Sequence, residues 1–316
     1  MINVCILGAG GQLGTSLVNK LSENNDTIIY ACDKFFSNYL NLNNVNYIEV
    51  DFSSKFEHTL SSIPKNDVVF IDCIGIQHSL FAKTIYDINF LLNKKIFEYI
   101  KSNFSNFHFI FISSLSVRND MEIEIAAGVG NEINFYGKSK LDFEQYLKEN
   151  YASSYNITIF RPAAFYSEKL SDNLNSFFEL LINKIFILPR NEKQRSFISL
   201  DYFSAFIKDY INNNRYHEVI EIADKAPIEF TNLIDRIKKS NLSVKSKIYY
   251  FPTIFFKIIG KLGYLLEKFG LHINILTIIG EFGYSYVSKN NYLISTVNLE
   301  DTYQNFEEII YKKFTN

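Results

Sequence analysis

The sequence predicts an α/β fold in which a doubly wound parallel sheet is accompanied by a smaller C-terminal lobe. Short apolar runs alternate with longer helical patterns through the first half of the chain, which is typical of parallel strands joined by crossover helices. Six strands are predicted over residues 2–7, 27–32, 47–50, 68–72, 107–113 and 156–160, and a seventh over residues 218–223. Apolar residues at helical spacing predict three crossover helices, over residues 14–22, 81–102 and 136–151.

This alternation also predicts how the chain is divided. Residues 1–162, joined by residues 196–224, would form the sheet domain. Residues 163–195 and 225–316 lack the alternation and would form a substrate-binding lobe over the carboxyl ends of the strands. Open α/β sheets bind their ligands at that edge.

The composition argues against several classes of protein. Lys and Arg number 32 and Asp and Glu number 34, so a formal net charge of -2 predicts no surface for nucleic acid. The spacing of Cys5, Cys32 and Cys73 matches neither a metal site nor a disulfide framework, and the five scattered histidines offer no metal-binding pair. No basic and apolar leader precedes the first strand, so we expect a cytoplasmic protein with reduced thiols.

The most apolar stretch, residues 251–286, is interrupted by lysines and glutamates before it reaches the roughly 20 apolar residues of a membrane span. Its apolar residues at helical spacing predict a helix face buried against the rest of the chain or against a second copy in a homodimer: Ile254, Ile258, Leu262, Leu265 and Phe269. A helix lying in a membrane surface is the alternative, because lysines interleave the apolar residues.

A glycine-rich loop, Gly8-Ala9-Gly10-Gly11-Gln12-Leu13-Gly14, joins the first strand to a helical pattern. Gly8 permits a tight turn, Gly11 lets the backbone approach a pyrophosphate, and Gly14 allows the helix and strand to pack closely. The N-terminus of the helix then faces the phosphate charge. Strand, loop and helix together predict a Rossmann dinucleotide-binding domain.

Asp33, at the end of the second strand, predicts NAD as the cofactor. A carboxylate there accepts hydrogen bonds from the ribose hydroxyls and repels the 2′-phosphate of NADP. Lys34 keeps NADP open as an alternative, since a cation could accommodate that phosphate. Asp51, which closes the third strand, is expected either to meet the adenine amine or to cap the strand end.

Tyr136 and Lys140 lie one turn apart on a predicted helix and form a candidate acid/base pair. A phenol with an ordinary pKa of about 10 is a poor base at neutral pH, but a lysine ammonium and a cationic nicotinamide would favour its phenolate. It could then exchange a proton with a substrate hydroxyl while a hydride moves to or from the cofactor. Ser114 is preferred to Ser113 as the hydroxyl that bonds the reacting oxygen, and a polar strand terminus is the alternative.

The chain resembles the extended short-chain dehydrogenase/reductase superfamily, specifically the NAD-dependent epimerase/dehydratase family that acts on nucleotide sugars. The resemblance extends over most of the chain and rests on the glycine loop, Asp33, Asp51, Cys73-Ile74-Gly75, Asn89, Ser113-Ser114, Tyr136-Gly137-Lys138-Ser139-Lys140 and Phe160-Arg161-Pro162. It implies that Ser114, Tyr136 and Lys140 are catalytic, that Asn89 supports the active site, and that Pro162 borders the nicotinamide. The cofactor-binding residues that it implies are Gly8, Gly11, Gln12, Leu13, Gly14, Asp33, Asp51, Phe52, Cys73, Gly75, Asn89, Tyr136, Lys140 and Pro162.

The resemblance also implies where the substrate binds. Residues 195–201 resemble the family segment whose arginine contacts the diphosphate of the sugar nucleotide, so Arg195 joins Ser114 as a candidate substrate-binding residue. A surface arginine before a buried strand is the alternative. The chain departs from many relatives at Ala164, where they carry Asn, and at residues 166–168, where they carry Tyr-Gly-Pro.

Three functions are compatible with these motifs. The leading one is an NAD-dependent nucleotide-sugar epimerase, which removes a hydride from a sugar alcohol carbon and returns it to the opposite face. The alternatives are an NAD(P)-dependent nucleotide-sugar ketoreductase and a non-catalytic dinucleotide-binding subunit. Dehydration is disfavoured because Leu115 and Ser116 stand where 4,6-dehydratases carry an Asp-Glu pair.

Overall fold

The structure of the chain is a computed structural model. The structure describes all residues except 38, 40, 55, 78, 80, 118–134, 152, 153, 169–177, 179–184, 192, 213–218, 240–246, 270–272, 274, 275, 277, 278, 281, 284, 289–300 and 316. Its strands are β1 (Ile2–Leu7), β2 (Thr27–Asp33), β3 (Val45–Glu49), β4 (Val68–Asp72), β5 (His108–Ile112), β6 (Asn156–Pro162), β7 (Ala164–Tyr166), β8 (Ile185–Pro189), β9 (Phe197–Ser199), β10 (Val219–Ile222) and β11 (Lys247–Phe251).

Seven of these strands form one parallel sheet in the order β3-β2-β1-β4-β5-β6-β10. This is the strand order of a doubly wound Rossmann sheet, with β10 added beside β6. The predicted fold class is therefore confirmed. The strand bounds differ from the predicted ones by at most two residues, as at β3, which spans residues 45–49 instead of 47–50.

The helices are α1 (Gln12–Ser22), α2 (Ala82–Tyr86), α3 (Asn93–Asn103), α4 (Phe135–Tyr151), α5 (Leu200–Asn212), α6 (Phe230–Lys239), α7 (Thr253–Lys268) and α8 (Thr302–Thr315). A π-helical segment, Asp87–Leu92, joins α2 to α3. The predicted helix over residues 81–102 is thus a continuous helical run whose middle has a wider hydrogen-bonding pattern.

Helices cover both faces of the central sheet. On one face α1 packs against α5, and Leu17 and Phe206 belong to the same buried cluster. On the other face α3 and α4 bury Phe97 and Phe143 in a second cluster. Burial from both sides explains why all five residues of β5 are buried and why apolar residues fill most of that strand.

The smaller lobe contains two short parallel sheets that the sequence did not predict. β7 pairs with β9, and β8 pairs with β11. Three- to five-residue strands are too short to show a reliable alternation of apolar and polar residues. Tyr166, Phe197 and Phe306 lie in a separate buried cluster, so this part of the chain has a core of its own. Within the expected return segment 196–224, α5 and β10 pack on the central sheet, whereas β9 does not join it.

Helix α7 does not bury its predicted apolar face against the rest of the chain, so the first of the two expected arrangements is wrong. The helical members of the face are between 50% and 61% exposed, and the residue just beyond them is 77% exposed: Ile254, Ile258, Leu262, Leu265 and Phe269. The helix packs through its other side, where Phe256 is buried. Among the described residues, no helix has both the length and the apolar composition needed to cross a membrane.

Candidate active site

The predicted catalytic groups meet at the carboxyl edge of the central sheet. Strands β1, β4, β5 and β6 are parallel, so the loops that follow them leave the sheet on the same side. Lys140 on helix α4 connects two of these loops, because its Nζ donates hydrogen bonds to the carbonyl oxygens of Ile112 (3.0 Å) and Ile74 (3.3 Å). These contacts anchor the first turns of α4 at the ends of β4 and β5.

The glycine loop after β1 has the geometry of an anion-binding turn. Gly8 adopts a positive φ of 83°, which glycine tolerates best, and a Cβ at Gly14 would lie only 2.2 Å from the Gly8 carbonyl oxygen. Gly11 caps helix α1 without a side-chain hydrogen bond, and the first turn of α1 contains no acidic residue. The backbone amides of Gln12 and Leu13 in that turn are therefore available to a negatively charged ligand.

Asp33 lies against this loop. Its Oδ2 accepts a hydrogen bond from the backbone N–H of Gly10 at 2.8 Å, and its Oδ1 accepts one from the backbone N–H of Lys34 at 2.6 Å. The Lys34 ammonium turns to Asp51 instead, with Nζ 2.7 Å from Oδ2. The cation that could have accommodated the 2′-phosphate of NADP is thus paired with a carboxylate.

Asp51 has the contacts of a capping residue. Its Oδ1 accepts hydrogen bonds from the backbone N–H of Ser53 (3.0 Å) and from the Ser53 hydroxyl (2.5 Å). The hydrogen bond from Lys34 and those from Ser53 lower the pKa of Asp51 to about 2. These contacts match the strand-end cap more closely than the adenine-binding alternative.

Two adjacent serines at the end of β5 face different partners. The Ser114 hydroxyl is hydrogen-bonded to the phenol of Tyr136, and it also accepts a hydrogen bond from the Ser116 hydroxyl at 2.8 Å. The buried Ser113 hydroxyl donates to Glu144 Oε1 at 2.6 Å. Ser114 therefore affects the pKa of Tyr136, whereas Ser113 is bonded to Glu144, and a catalytic role for Ser114 stays a prediction.

Tyr136 and Lys140, the candidate acid/base pair on helix α4, have shifted pKa values. Burial raises the pKa of the Tyr136 phenol, and the hydrogen bond with Ser114 lowers it by a smaller amount. Burial lowers the pKa of the Lys140 ammonium, although the nearby Asp72 carboxylate opposes this shift. The phenol pKa is therefore raised in the protein alone, and the expected fall, which includes the cofactor, stays a prediction. A cationic nicotinamide is the other group that was expected to favour the phenolate.

Asp72, the last residue of β4, is a member of the site that sequence reasoning missed. It is fully buried, and burial raises its pKa to about 6, although the ammonium of Lys140 and the backbone N–H of Ile74 oppose the shift. Its Oδ1 accepts the Ile74 N–H at 3.0 Å. An acidic residue at the end of an otherwise apolar strand was the signal that could have identified it.

Gly75 and Asn89 shape the turn beside Lys140. A Cβ at Gly75 would lie 3.0 Å from the Lys140 Nζ and 3.1 Å from the Asn89 Oδ1, so the lack of a side chain makes room for both groups. The fully buried Asn89 accepts the Ile76 N–H (2.8 Å) and donates to the Ile76 carbonyl oxygen (2.9 Å). Asn89 lies in the π-helical segment, a type of distortion common at functional sites. Its described contacts support the turn and do not point to direct cofactor binding.

A buried ion pair stabilises the same edge of the sheet. Glu144 is fully buried, and Arg161 donates to both of its carboxylate oxygens, through Nε at 3.0 Å and Nη2 at 2.6 Å. Because Ser113 donates to the same carboxylate, the end of β5, the end of β6 and helix α4 are tied together. The sequence analysis used Arg161 only as part of a motif and did not identify Glu144.

Three other predicted cofactor-binding residues near this edge, Phe52, Cys73 and Pro162, differ in burial and contacts. Phe52 is buried beside Phe56, with ring centroids 5.7 Å apart, so its side chain belongs to the core. Cys73 is half-buried, and burial raises the pKa of its thiol. Pro162 ends β6 in register with Ile222 of β10. The structure thus does not present the side chain of Phe52 to a ligand.

Arg195 lies in the smaller lobe and contacts two aromatic rings. Its guanidinium carbon is 5.1 Å from the ring centroid of Phe282 and 5.1 Å from that of Tyr286. Its backbone exchanges two hydrogen bonds with Ile228. Stacking holds the planar guanidinium in one orientation. The side chain of Arg195 is half-buried. The alternative interpretation, an exposed surface arginine, therefore does not fit it.

The described residues contain no group of three His, Cys, Asp or Glu side chains that could hold a metal ion. His108 is buried within β5 and lies 2.8 Å from the Thr158 hydroxyl, and burial lowers its pKa to about 4. His78, His217 and His272 lie outside the described residues.

Comparisons with known proteins agree with this architecture. A family model described as the NAD dependent epimerase/dehydratase family matches residues 4–223. No curated protein matches the chain. Among solved structures, the UDP-glucuronic acid 4-epimerase of Bacillus cereus has a TM-score of 0.62 and 18% identity, and the match covers 79% of this chain and 88% of that chain.

Two further structures match nearly the whole chain. The UDP-N-acetylglucosamine 4-epimerase of Methanobrevibacter ruminantium M1 has a TM-score of 0.65 and 16% identity, covering 99% of this chain and 97% of that chain. A dTDP-4-dehydrorhamnose reductase of Clostridium acetobutylicum has a TM-score of 0.64 and 16% identity, covering 99% of each chain. At these identities the likeness shows the fold alone, and epimerases and a reductase share that fold.

Proposed function

Because the chain belongs to the NAD-dependent epimerase/dehydratase family, we propose that it is a nucleotide-sugar epimerase that acts by transient hydride transfer at a sugar alcohol carbon. The hydrogen bond between Ser114 and Tyr136, one helical turn before the buried Lys140, carries this proposal. Shifted ionisable groups that meet at a ligand-binding edge are typical of catalytic sites. A subunit that only bound a dinucleotide would not need them.

Tyr136 would be the acid/base of the reaction. Its Oη takes the proton of the sugar hydroxyl when that carbon is oxidised and gives it back when the carbon is reduced. Ser114 would hold the reacting oxygen within reach of the phenol, because its hydroxyl already contacts Tyr136. Lys140 uses two of its three donors on backbone carbonyls, which fixes its position and leaves a third donor for a cofactor hydroxyl.

The loop after β1 and the end of β2 would hold the dinucleotide. The uncapped N-terminus of α1 fits a pyrophosphate, and the Asp33 carboxylate fits the hydroxyls of the adenosine ribose. Bound NAD would supply the ring carbon that accepts the hydride and returns it. The pairing of Lys34 with Asp51 supports NAD over NADP, because a 2′-phosphate would have to compete with a carboxylate for the ammonium.

The smaller lobe would bind the nucleotide sugar. Arg195, oriented by Phe282 and Tyr286, would donate hydrogen bonds to the diphosphate, for which a planar guanidinium is well suited. The three cysteines are free, as thiols are in the reducing cytoplasm, and we propose that compartment for the enzyme.

The protein as purified provides the test of this proposal. An epimerase must keep the reduced cofactor and the keto sugar together until the hydride returns, so dinucleotide should co-purify and UDP-sugars should interconvert without added NADH. No deuterium from added deuterated NADH should enter the sugar.

The opposite result would identify the ketoreductase. That enzyme exchanges its cofactor in every cycle, so it would consume added NADH in proportion to a keto sugar and transfer the deuterium to the product. Failure to bind any dinucleotide in calorimetry would contradict both reactions.

A further inference from the structure

We propose that one exposed face of the smaller lobe binds the surface of an anionic phospholipid bilayer. This face, the α7 surface, consists of exposed apolar side chains of helix α7 with two lysines beside them: Ile254, Phe255, Ile258, Leu262, Leu265, Lys257 and Lys261. It contains none of the groups assigned to catalysis, so membrane binding and turnover can be measured separately.

Helix α7 is apolar on two opposite sides. One side packs into the lobe through Phe256, Gly260 and Gly263, which are buried. The crossing is close, since a Cβ at Gly280 would lie 2.5 Å from the Gly260 Cα. Successive residues of an α-helix are turned by about 100°, so the exposed apolar stripe lies roughly opposite these contacts. The helix is therefore already anchored by one apolar side and presents the other to its surroundings.

The apolar stripe continues onto the neighbouring sheet. The ring of Phe255 on α7 lies 5.1 Å from that of Phe251 at the end of β11. Tyr249 in the same strand is 48% exposed and pairs in register with Ile187 of β8, which is 40% exposed. Tyrosines and phenylalanines favour the boundary between water and lipid. A continuous exposed apolar area of this kind marks an interaction site.

The charge of this region matches an anionic bilayer. Residues 247–269 contain four lysines and one glutamate, a formal charge of +3, whereas the whole chain has a net charge of -2. At about 100° per residue, Lys257 and Lys261 fall along one border of the apolar stripe. A helix with an apolar face and a lysine-rich border is typical of segments that lie in the membrane surface. The long lysine stems can cover apolar surface while their ammonium groups reach the headgroups.

A lipid surface suits this face better than a second copy of the chain. The centres of protein interfaces are depleted in lysine, and two equivalent α7 surfaces would bring like charges together across a twofold axis. Anionic headgroups instead provide opposite charge for the ammonium group of the exposed Lys261.

Vesicle flotation tests the proposal. The full-length protein is mixed with vesicles of phosphatidylcholine alone, or with vesicles that contain about 30% phosphatidylglycerol to supply negative charge. The protein should float with the anionic vesicles, and the bound fraction should fall as salt is raised. A lysine near such a surface contributes about five-fold to binding, so Lys261→Gln should weaken binding about five-fold.

The apolar contribution is tested by Ile258→Gln with Leu262→Gln, which should weaken binding by at least about ten-fold. Leu42→Gln is the matched control, because Leu42 is 42% exposed outside the α7 surface. Lys20→Gln is the control for charge, since Lys20 is a partly exposed lysine of helix α1, outside the α7 surface. Both controls should bind like wild type, and thermal unfolding confirms that every variant is folded.

Two results would overturn the proposal. One is that wild type fails to float with either vesicle. The other is that wild type is a dimer, that Ile258→Gln with Leu262→Gln makes it monomeric, and that adding vesicles does not change either oligomeric state. A second copy of the chain would then occupy the α7 surface.

Discussion

The carboxyl edge of the central sheet and the α7 surface break the usual distribution of residues in opposite ways. At the sheet edge, polar side chains such as Asp72, Lys140 and Glu144 are buried. On the α7 surface, large apolar side chains such as Ile258 and Leu262 are at least half exposed. Buried polar groups and exposed apolar patches are the two departures that carry functional information.

The physical costs differ between the two regions. At the sheet edge Glu144 has partners in Arg161 and Ser113, and losing one of them would leave a buried charge unsatisfied. The Oδ2 of the buried Asp72, in contrast, accepts no hydrogen bond from the described residues. On the α7 surface the exposed apolar side chains are unfavourable in water, and this free energy is recovered only when another surface covers them. Glu144 at the sheet edge is therefore stabilised by partners within the chain, whereas the α7 surface would be covered only by a bound partner.

The largest effect is expected at the sheet edge, from Tyr136→Phe. Removal of the phenolic oxygen should lower kcat by at least about 100-fold, the usual scale of acid/base catalysis. NAD binding should be nearly unchanged, because the helix and Lys140 stay in place. Steady-state kinetics and calorimetry measure both quantities, with Tyr249→Phe as a control outside the site. Near-normal turnover would show that Tyr136 is not the acid/base.

Two truncations compare buried and exposed apolar residues directly. Phe206→Ala on α5 should lower the free energy of unfolding by about 3–5 kcal/mol, because Phe206 is fully buried against Phe160. Ile258→Ala on α7 should change it by no more than about 0.5 kcal/mol, because that side chain already meets water. Urea unfolding without lipid measures both. A large loss for Ile258→Ala would mean that the α7 surface is covered in solution.

A pH series on Asp72→Asn examines the buried acid. Folding raises the pKa of Asp72 from 3.8 to about 6, so the wild-type protein loses stability as pH rises through this window, by about 3 kcal/mol in total. Asp72→Asn has no carboxyl group to ionise at this position, so it does not lose this stability as pH rises. The difference between the unfolding free energies of wild type and variant should therefore change between pH 4 and 7. A flat difference for Asp72→Asn would instead place the Asp72 carboxylate in contact with water.

Arg195→Ala tests the substrate contact in the smaller lobe. Loss of charged hydrogen bonds to a diphosphate should weaken nucleotide-sugar binding by about 1.5–3 kcal/mol, with little effect on NAD. Calorimetry with a UDP-sugar measures this, and Arg190→Ala provides an exposed arginine as the control. Unchanged affinity would make Arg195 a structural residue that only joins Phe282 and Tyr286.

The smallest effect concerns the choice of cofactor. Asp33→Asn should narrow the preference for NAD over NADP by about ten-fold, since a neutral amide does not repel the 2′-phosphate. Titration of both cofactors against wild type and variant measures the ratio. A wild-type preference for NADP would reverse the interpretation and point to Lys34.

Local patterns in the sequence were enough to predict the central sheet and much of the candidate site. The alternation of strands and helices depends on residues that are neighbours in the chain, as does the loop from Gly8 to Gly14. Tyr136 and Lys140 were paired for the same reason, because a spacing of four residues places them on one face of a helix. Features of this kind need no knowledge of the rest of the fold.

Only the tertiary structure decided which side chains are buried and what they meet. Ser113 and Ser114 are adjacent, and Glu144 and Tyr136 on a distant helix determine that one braces the sheet while the other faces the phenol. The burial of Asp72 likewise depends on elements far along the chain. The apolar spacing of α7 is the same whether that face is covered or open, because periodicity records which residues share a face and not what packs against it.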